Sequence, residues 1–574
     1  MTSRFTAKEK LTSLSAWELE KTDSAFAPDH VYSNADMGEP FDHPEKEKWG
    51  RSGRELIVVF SEPVPREQWS WTTVTFFAYW FSDLINAGSW SQVSSFVSLG
   101  LTWWESLLAV FVGGFILSLI VVLNGIIGAR LHTPFAVTSR AAFGYNLARF
   151  AVISRMVIAW FWFSINTYQG GSGIKLMIIA IWPSFRTFPN HLPASSGTTS
   201  QSMLCFFLFW LIQFPFCLIH PRNLKPLFLI KGATLPIVAI GMMGWSIHKA
   251  GSQASAVLKA PSSIHGLSGY YAFMTAVNAC ISTWSTLGCN IGDFSRFSKK
   301  ETSATLQLAF IPGLWCLASL FGAITSNMTL AIYGEILWQP FDVIDKWEGS
   351  KGGRAAAFFC AAAWAIGNMG TNITANSISS ANDLTTLAPR YVNIFRGQIF
   401  AVVVGVWAFV PWKVLDSAGS FISFMASYAI VLAPIAAILC ADFWVVKGQK
   451  YNVPELYDPR GIYRYTYGVN WRALVALFVS IGPNMPGMVN ALNSSINIGK
   501  VKYLYSVACI FGIVVASGTH ILLSKLFPDH NSLISESILA VDVLEGRVAG
   551  YQNNSRSFEE GDKDYEQNVK VNEV

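Results

Sequence analysis

Four groups of polar residues sit inside long apolar stretches, where a polar side chain is costly and marks a place to look for function. In the first, Asp83, Asn86 and Trp90 stand at i, i+3 and i+7, on one helix face, with Ser89 beside them and Gly88 favouring a local break. In the second, Trp162 and Asn166 are four apart on a helix that also carries Trp160, Gln169, Gly170 and Gly171. An aromatic plane next to an amide can stack a flat heterocycle and hydrogen-bond its edge. An interfacial Trp beside a satisfied core amide would give the same pattern. The third group is Ser282, Thr283, Trp284, Ser285, Thr286 and Gly288, whose hydroxyls and glycine let backbone unwind where side chains or waters take up the freed carbonyls. In the fourth, Asn368, Asn372 and Asn376 repeat every four residues beside Thr371 and form one polar stripe. Three amides cannot face lipid, so they line a solute or ion path or glue helices together. One cation, Lys231, lies in an apolar run and either snorkels to the surface or takes part in charge coupling.

The elements that must position these residues are membrane helices. Of the 574 residues, 52% are hydrophobic and only 13% charged, half of what a soluble domain carries. Apolar runs place spans one to twelve near 71–98, 104–128, 150–182, 203–219, 224–249, 268–290, 305–333, 355–378, 397–412, 420–446, 471–492 and 502–526. Spans one and six, five apart, are both interrupted, by NAGSWS and STWSTLG. Paired interrupted helices in matching places of two halves point to inverted repeats with a midplane site between them.

An even span count puts both tails on one side. Loops on that side, with Arg130, Arg140, Arg149, Lys299, Lys300, Arg390 and Arg396 among their cations, outweigh the opposite loops, so both termini are expected to be cytosolic. Three regions follow: a cytosolic N-terminal tail at 1–69, a transmembrane transporter domain at 70–528, and a cytosolic, disordered C-terminal tail at 529–574. The net charge of +5 is spread out, with no basic run suited to nucleic acid. The 8 Cys sit in apolar stretches without a CxxC pair, which argues against both a disulfide framework and a zinc site. There is no HExxH, GxSxG or P-loop. The residues therefore call for no enzyme, metal or cofactor. The remaining classes are a secondary transporter for a small polar solute, a channel, and a nutrient receptor that binds without transporting.

Several longer strings resemble the nucleobase-cation-symport-1 family, specifically its fungal Fur-type permeases: DLINAGSW, IGARLHTPFAVTSRAAFG, NIGDFSRF, GTNITANSISSANDLTTLAPRYVNIFRG, the pair Pro411–Trp412, and YTYGVNWRA. Together they cover about residues 65–525. The resemblance implies an all-α, LeuT-type fold of two inverted five-helix repeats plus two C-terminal helices. It implies a proton-coupled plasma-membrane importer of a planar, nucleobase-like solute of the uracil, allantoin or uridine class. Permeases of thiamine and nicotinamide riboside share the resemblance and remain an alternative. The implied substrate residues are Trp162, Asn166 (where many relatives have Gln), Trp284 (where many have Phe) and Asn376. Asn372 and Asn86 join them from the polar pattern above. Asp83, Lys231 and Thr371 are the expected coupling residues. In sodium-coupled bacterial relatives two hydroxyls of span eight bind the ion; Thr371 matches one and Gly370 replaces the other, which favours a proton over sodium. Trp90 is expected at a gate, and the charges Asp293 and Arg296 after span six and Asp383 and Arg390 after span eight at the cytosolic gate, where opposite charges on the two segments, such as Asp383 and Arg296, can pair. The expected partners are thus a small solute, a proton and the lipid bilayer.

Overall fold

A computed structural model describes residues 63–219, 224–347, 349–389, 391–493 and 495–544; the expected gating residue Arg390 and most of both tails lie outside them. The described residues form helices joined by turns, with three isolated backbone bridges and no strand. Among the described residues, eight helices are long and apolar enough to cross a bilayer, and they coincide with expected spans two, three, four, five, seven, ten, eleven and twelve. The other four expected spans are interrupted, polar or short. Span one is Thr73–Leu84 followed by Ala87–Ser98, and span six is Gly266–Thr283 followed by Ser285–Asn290. Span eight runs Lys351–Thr371, widens into a π-helical turn at Asn372–Ile378 and ends with Ser379–Leu387. Span nine is short, Ile394–Phe400 with a π turn at Ala401–Gly405. The result is a polytopic all-α membrane protein. Phe111, Phe115, Leu119, Ile237, Ile240, Phe359 and Leu522 on these helices are exposed, the apolar surface a membrane-spanning bundle turns to lipid.

The helices begin and pack where local chemistry says they should. Span two, Trp103–Leu131, starts with a capping box: Glu105 N–H donates to Thr102 Oγ1, and Thr102 N–H donates back to Glu105 Oε2. It ends on His132, held left-handed at φ 54°. A short buried helix, Phe135–Phe143, then turns across the end of the bundle where the described termini lie, called the tail end below. Spans two and six cross at small residues. A Cβ on Gly113 would lie 2.5 Å from Cβ of Cys280, and one on Gly128 would lie 2.6 Å from Cα of Gly292. Such contacts let membrane helices approach closely. Spans three (Leu147–Ile181) and eight run antiparallel, with Gly173 against Ala361 and Ala365 and Arg155 against Asp383.

Both predicted interruptions are present, with one shift. Span one breaks at Ile85–Asn86 rather than at Gly88: Asn86 has extended backbone and its side chain accepts the Ser89 N–H at 2.8 Å, an N-cap that starts the second half. Asp83, Asn86 and Trp90 therefore do not share one continuous helix face. The C-terminal tail, expected to be disordered from 529, is partly ordered. Ile538 exchanges backbone hydrogen bonds with Val453 and Tyr451, and Ala540 packs in the cluster that holds Tyr451, Tyr457 and Tyr463.

Candidate functional site

The breaks in spans one and six, the middle of span three and the π turn of span eight bring most of the sequence-predicted residues together. Trp162 is buried, its ring 3.7 Å from where a Cβ on Gly88 would stand, and its indole N–H donates to Tyr428 OH at 3.1 Å. Trp284 is the non-helical residue at the break of span six; it packs edge-on against Trp80 at 5.8 Å, and its indole N–H has no partner among the described residues. Asn166, one turn beyond Trp162, is 4% exposed and makes no hydrogen bond among the described residues. The span-eight amides divide their work. Asn372 donates to Thr167 Oγ1, Gln213 Oε1 and the Phe163 carbonyl and accepts from Asn376 at 2.9 Å. It thus ties spans three, four and eight together, while Asn376 keeps its carbonyl oxygen uncommitted. Asn86, expected as a solute ligand, spends its amide on the backbone: it donates to the Asp83 carbonyl and accepts from Ser89. Trp90, expected at a gate, is 1% exposed and packs edge-on against Trp364 in a hydrophobic cluster.

Beside the span-one break lies a buried charge cluster. Lys231 Nζ donates to Asp83 Oδ1 at 2.8 Å and to Thr371 Oγ1 at 3.0 Å, and Thr374 Oγ1 donates to Asp83 Oδ2 at 3.2 Å. Both charged side chains are 1% exposed, so Lys231 does not snorkel. A Cβ on Gly370 would stand 2.8 Å from Lys231 Cδ and 3.8 Å from its Nζ. The lysine stem fills the space that a larger residue at 370 would need.

A second buried network lies at the tail end and corrects the expected gate pairing. Asp383 pairs with Arg155 of span three and not with Arg296; both partners are fully buried, and Arg155 Nε donates to Asp383 Oδ2 at 2.6 Å. Arg155 also donates to Ser379 Oγ, which accepts from Asn290 at 2.8 Å. Asn290 in turn donates to Asp293 Oδ2, and Asp293 Oδ1 accepts the Phe135 N–H at 2.8 Å. The chain connects spans three, six and eight to the short helix at Phe135–Phe143. Arg296 is buried against Phe297 and donates to the Asp293 carbonyl. The signal for Arg155 was present in the sequence: a lone cation inside an apolar run, with a lone carboxylate near the end of another.

The profile of permeases for cytosine and purines, uracil, thiamine and allantoin matches residues 63–525. The chain belongs to this permease family. Its relatives include an uncharacterized permease of Schizosaccharomyces pombe, 33% identical with 85% of this chain and 87% of the relative covered. The allantoin permease of Saccharomyces cerevisiae is 31% identical, and the uracil permease of the same yeast 30%; each alignment covers 81% of this chain and 75% of the relative. Among solved structures, the permease is similar to Mhp1, a nucleobase-cation-symport-1 family transporter in a closed conformation with bromovinylhydantoin bound. The TM-score is 0.64 at 20% identity, over 81% of this chain and 96% of Mhp1. That likeness shows the LeuT-type fold, with spans one to five and six to ten as the two repeats and the broken spans one and six in equivalent places.

Proposed function

We propose that the permease is a proton-coupled importer of a planar, nucleobase-like solute of the uracil, allantoin or uridine class, in the plasma membrane with both termini cytosolic. The observation that carries the solute class is the free Asn166 amide one turn from Trp162, at the level of the span-one break. Trp162 and Trp284 stack the two faces of the ring. Asn166 and the free carbonyl of Asn376 read its edge. Asn372 serves by holding Asn376. Stacking contributes about 1 kcal/mol, and each polar group left unpaired costs about 1–3 kcal/mol.

The Lys231–Asp83 pair supports the proton reading. The ammonium is a tethered cation beside Thr371, and Gly370 leaves no hydroxyl to complete an ion cage. A proton arriving at Asp83 would release Lys231 and loosen span five from span one, a charge change of the kind that shifts a two-state equilibrium. The buried Arg155–Asp383 network is positioned to hold spans three, six and eight together at the tail end while the site is open on the other side.

The decisive experiment is radiolabelled uptake in a host lacking its own permeases, across uracil, allantoin, uridine, thiamine and nicotinamide riboside. Accumulation against a gradient separates a symporter from a channel, and translocation separates it from a receptor. Asn376→Ala is expected to raise the apparent KM or abolish uptake with surface protein unchanged. Wild-type kinetics in that variant would overturn the proposed pocket.

A further inference from the structure

Two amides that the proposed pocket does not use are the least satisfied polar groups near it. Gln169 of span three and Asn368 of span eight are both 0% exposed, and all four of their side-chain nitrogen and oxygen atoms lack a partner among the described residues. A buried amide without partners is costly, and in a native fold each such group needs a reason. Helical spacing puts both at the same depth. Gln169 follows Asn166 by three residues on the face of Trp162, and four residues further a Cβ on Gly173 would stand 3.1 Å from the Ala361 carbonyl. Asn368 stands one turn from Asn372 and one turn from Trp364, which packs against Trp90 of span one. Both therefore lie on the seam of spans one, three and eight, Gln169 one helical turn from Asn166 and Asn368 two turns from Asn376, away from the tail end. Trp90 Nε1 and Ser89 Oγ on that seam are also without partners. An apolar pair at 169 and 368 would serve packing better. Two amides instead offer donors and acceptors together.

We propose that Gln169 and Asn368 form a second hydrogen-bonding subsite, one turn beyond the ring clamp, for a substituent that both donates and accepts, as the hydroxyls of a ribosyl group do. The permease then prefers a nucleoside-type solute to the bare base. The subsite rests on the reading that Trp162, Asn166 and Asn376 hold the ring.

The test compares uridine and uracil in wild type, Gln169→Leu, Asn368→Leu and Trp162→Ala. Uptake kinetics are read in cells, and ligand-induced thermal shifts in detergent. In both leucine variants the apparent affinity for uridine should fall by about tenfold or more, and uracil should change by less than about threefold, as expected when only the substituent loses its partners. The thermal shift given by uridine should drop to that given by uracil, with the ligand-free melting temperature unchanged or higher, since no protein hydrogen bond is lost. Equal loss for both solutes with a lowered ligand-free melting temperature marks a structural role and overturns the subsite. Wild-type handling of both solutes in the leucine variants also overturns it, and leaves the ring clamp standing if Trp162→Ala abolishes uptake. If Trp162→Ala changes nothing, the ring clamp itself fails and the subsite with it. Should the leucine variants not reach the membrane, Gln169→Met and Asn368→Ser carry the same comparison.

Discussion

Lys231 and Asp83 show what a single residue pair can decide. Each is buried, and each is the other's charged partner at 2.8 Å. Removing one member leaves a charge stranded in a dry interior, at a cost of about 3–5 kcal/mol. Lys231→Met is expected to lower the melting temperature in detergent and to abolish uptake. Adding Asp83→Asn should recover much of the melting temperature and none of the uptake, since the pair's electrostatic burden is gone but its titratable groups are too. Recovery of uptake in the double variant would show that the pair is structural. Both residues were legible in the sequence as titratable groups inside spans, because charges at that depth are rare. Their contact was not, since 148 positions separate them and only the packing of span five on the broken span one joins them. Asn86 illustrates the reverse limit. Its polar side chain inside an apolar span suggested a ligand, yet the same residue type is a preferred N-cap, and the first unpaired N–H groups of a half-helix are satisfied before any solute is.

At the scale of elements, the buried Arg155–Asp383 pair joins span three to the end of span eight. Replacing Arg155 with Met alone or Asp383 with Leu alone should destabilise by about 3–5 kcal/mol, whereas the two replacements together should cost much less, because no lone charge remains. Thermal unfolding of the four proteins gives the coupling directly. Uptake in the double variant then reports whether the network also times the gate. A different element end senses acid. His132 caps span two in a left-handed conformation, stacks on Trp69 at 3.7 Å, and faces the Arg296 carbonyl through Nδ1. Burial pushes its imidazole down to about 4. The unfolded chain takes up a proton near the ordinary value of about 6.5 while the folded chain does not. Stability is therefore full above that pH and falls as pH drops from about 6.5 towards 4. His132→Asn, which tolerates the same backbone conformation, should flatten that part of the melting-temperature profile against pH. An unchanged slope would place the acid sensitivity elsewhere. The broken spans were legible because clusters of small polar residues interrupt otherwise apolar runs. The pairing of Asp383 was misread because the charges following spans six and eight look symmetric in the chain, while the partner that matters, Arg155, lies inside span three.

At the scale of the whole molecule, eight spans among the described residues declare themselves by length and apolarity; spans one, six and eight are disguised by their breaks and polar groups, and span nine by its shortness. Uptake should persist when sodium is replaced by choline at fixed pH and fall when a protonophore collapses the proton gradient. Loss of uptake on sodium replacement alone would sink the proton reading. The close approach of Lys231 to Gly370 has a consequence for how such a protein can change over generations. A Cβ at 370 would stand 2.8 Å from Lys231 Cδ, so any larger residue there requires the lysine stem to move aside. A lineage that enlarges residue 370 therefore meets least resistance when residue 231 shortens first, and one that lengthens 231 when 370 is already small, so the histories of the two positions are linked even though 139 positions separate them in the chain.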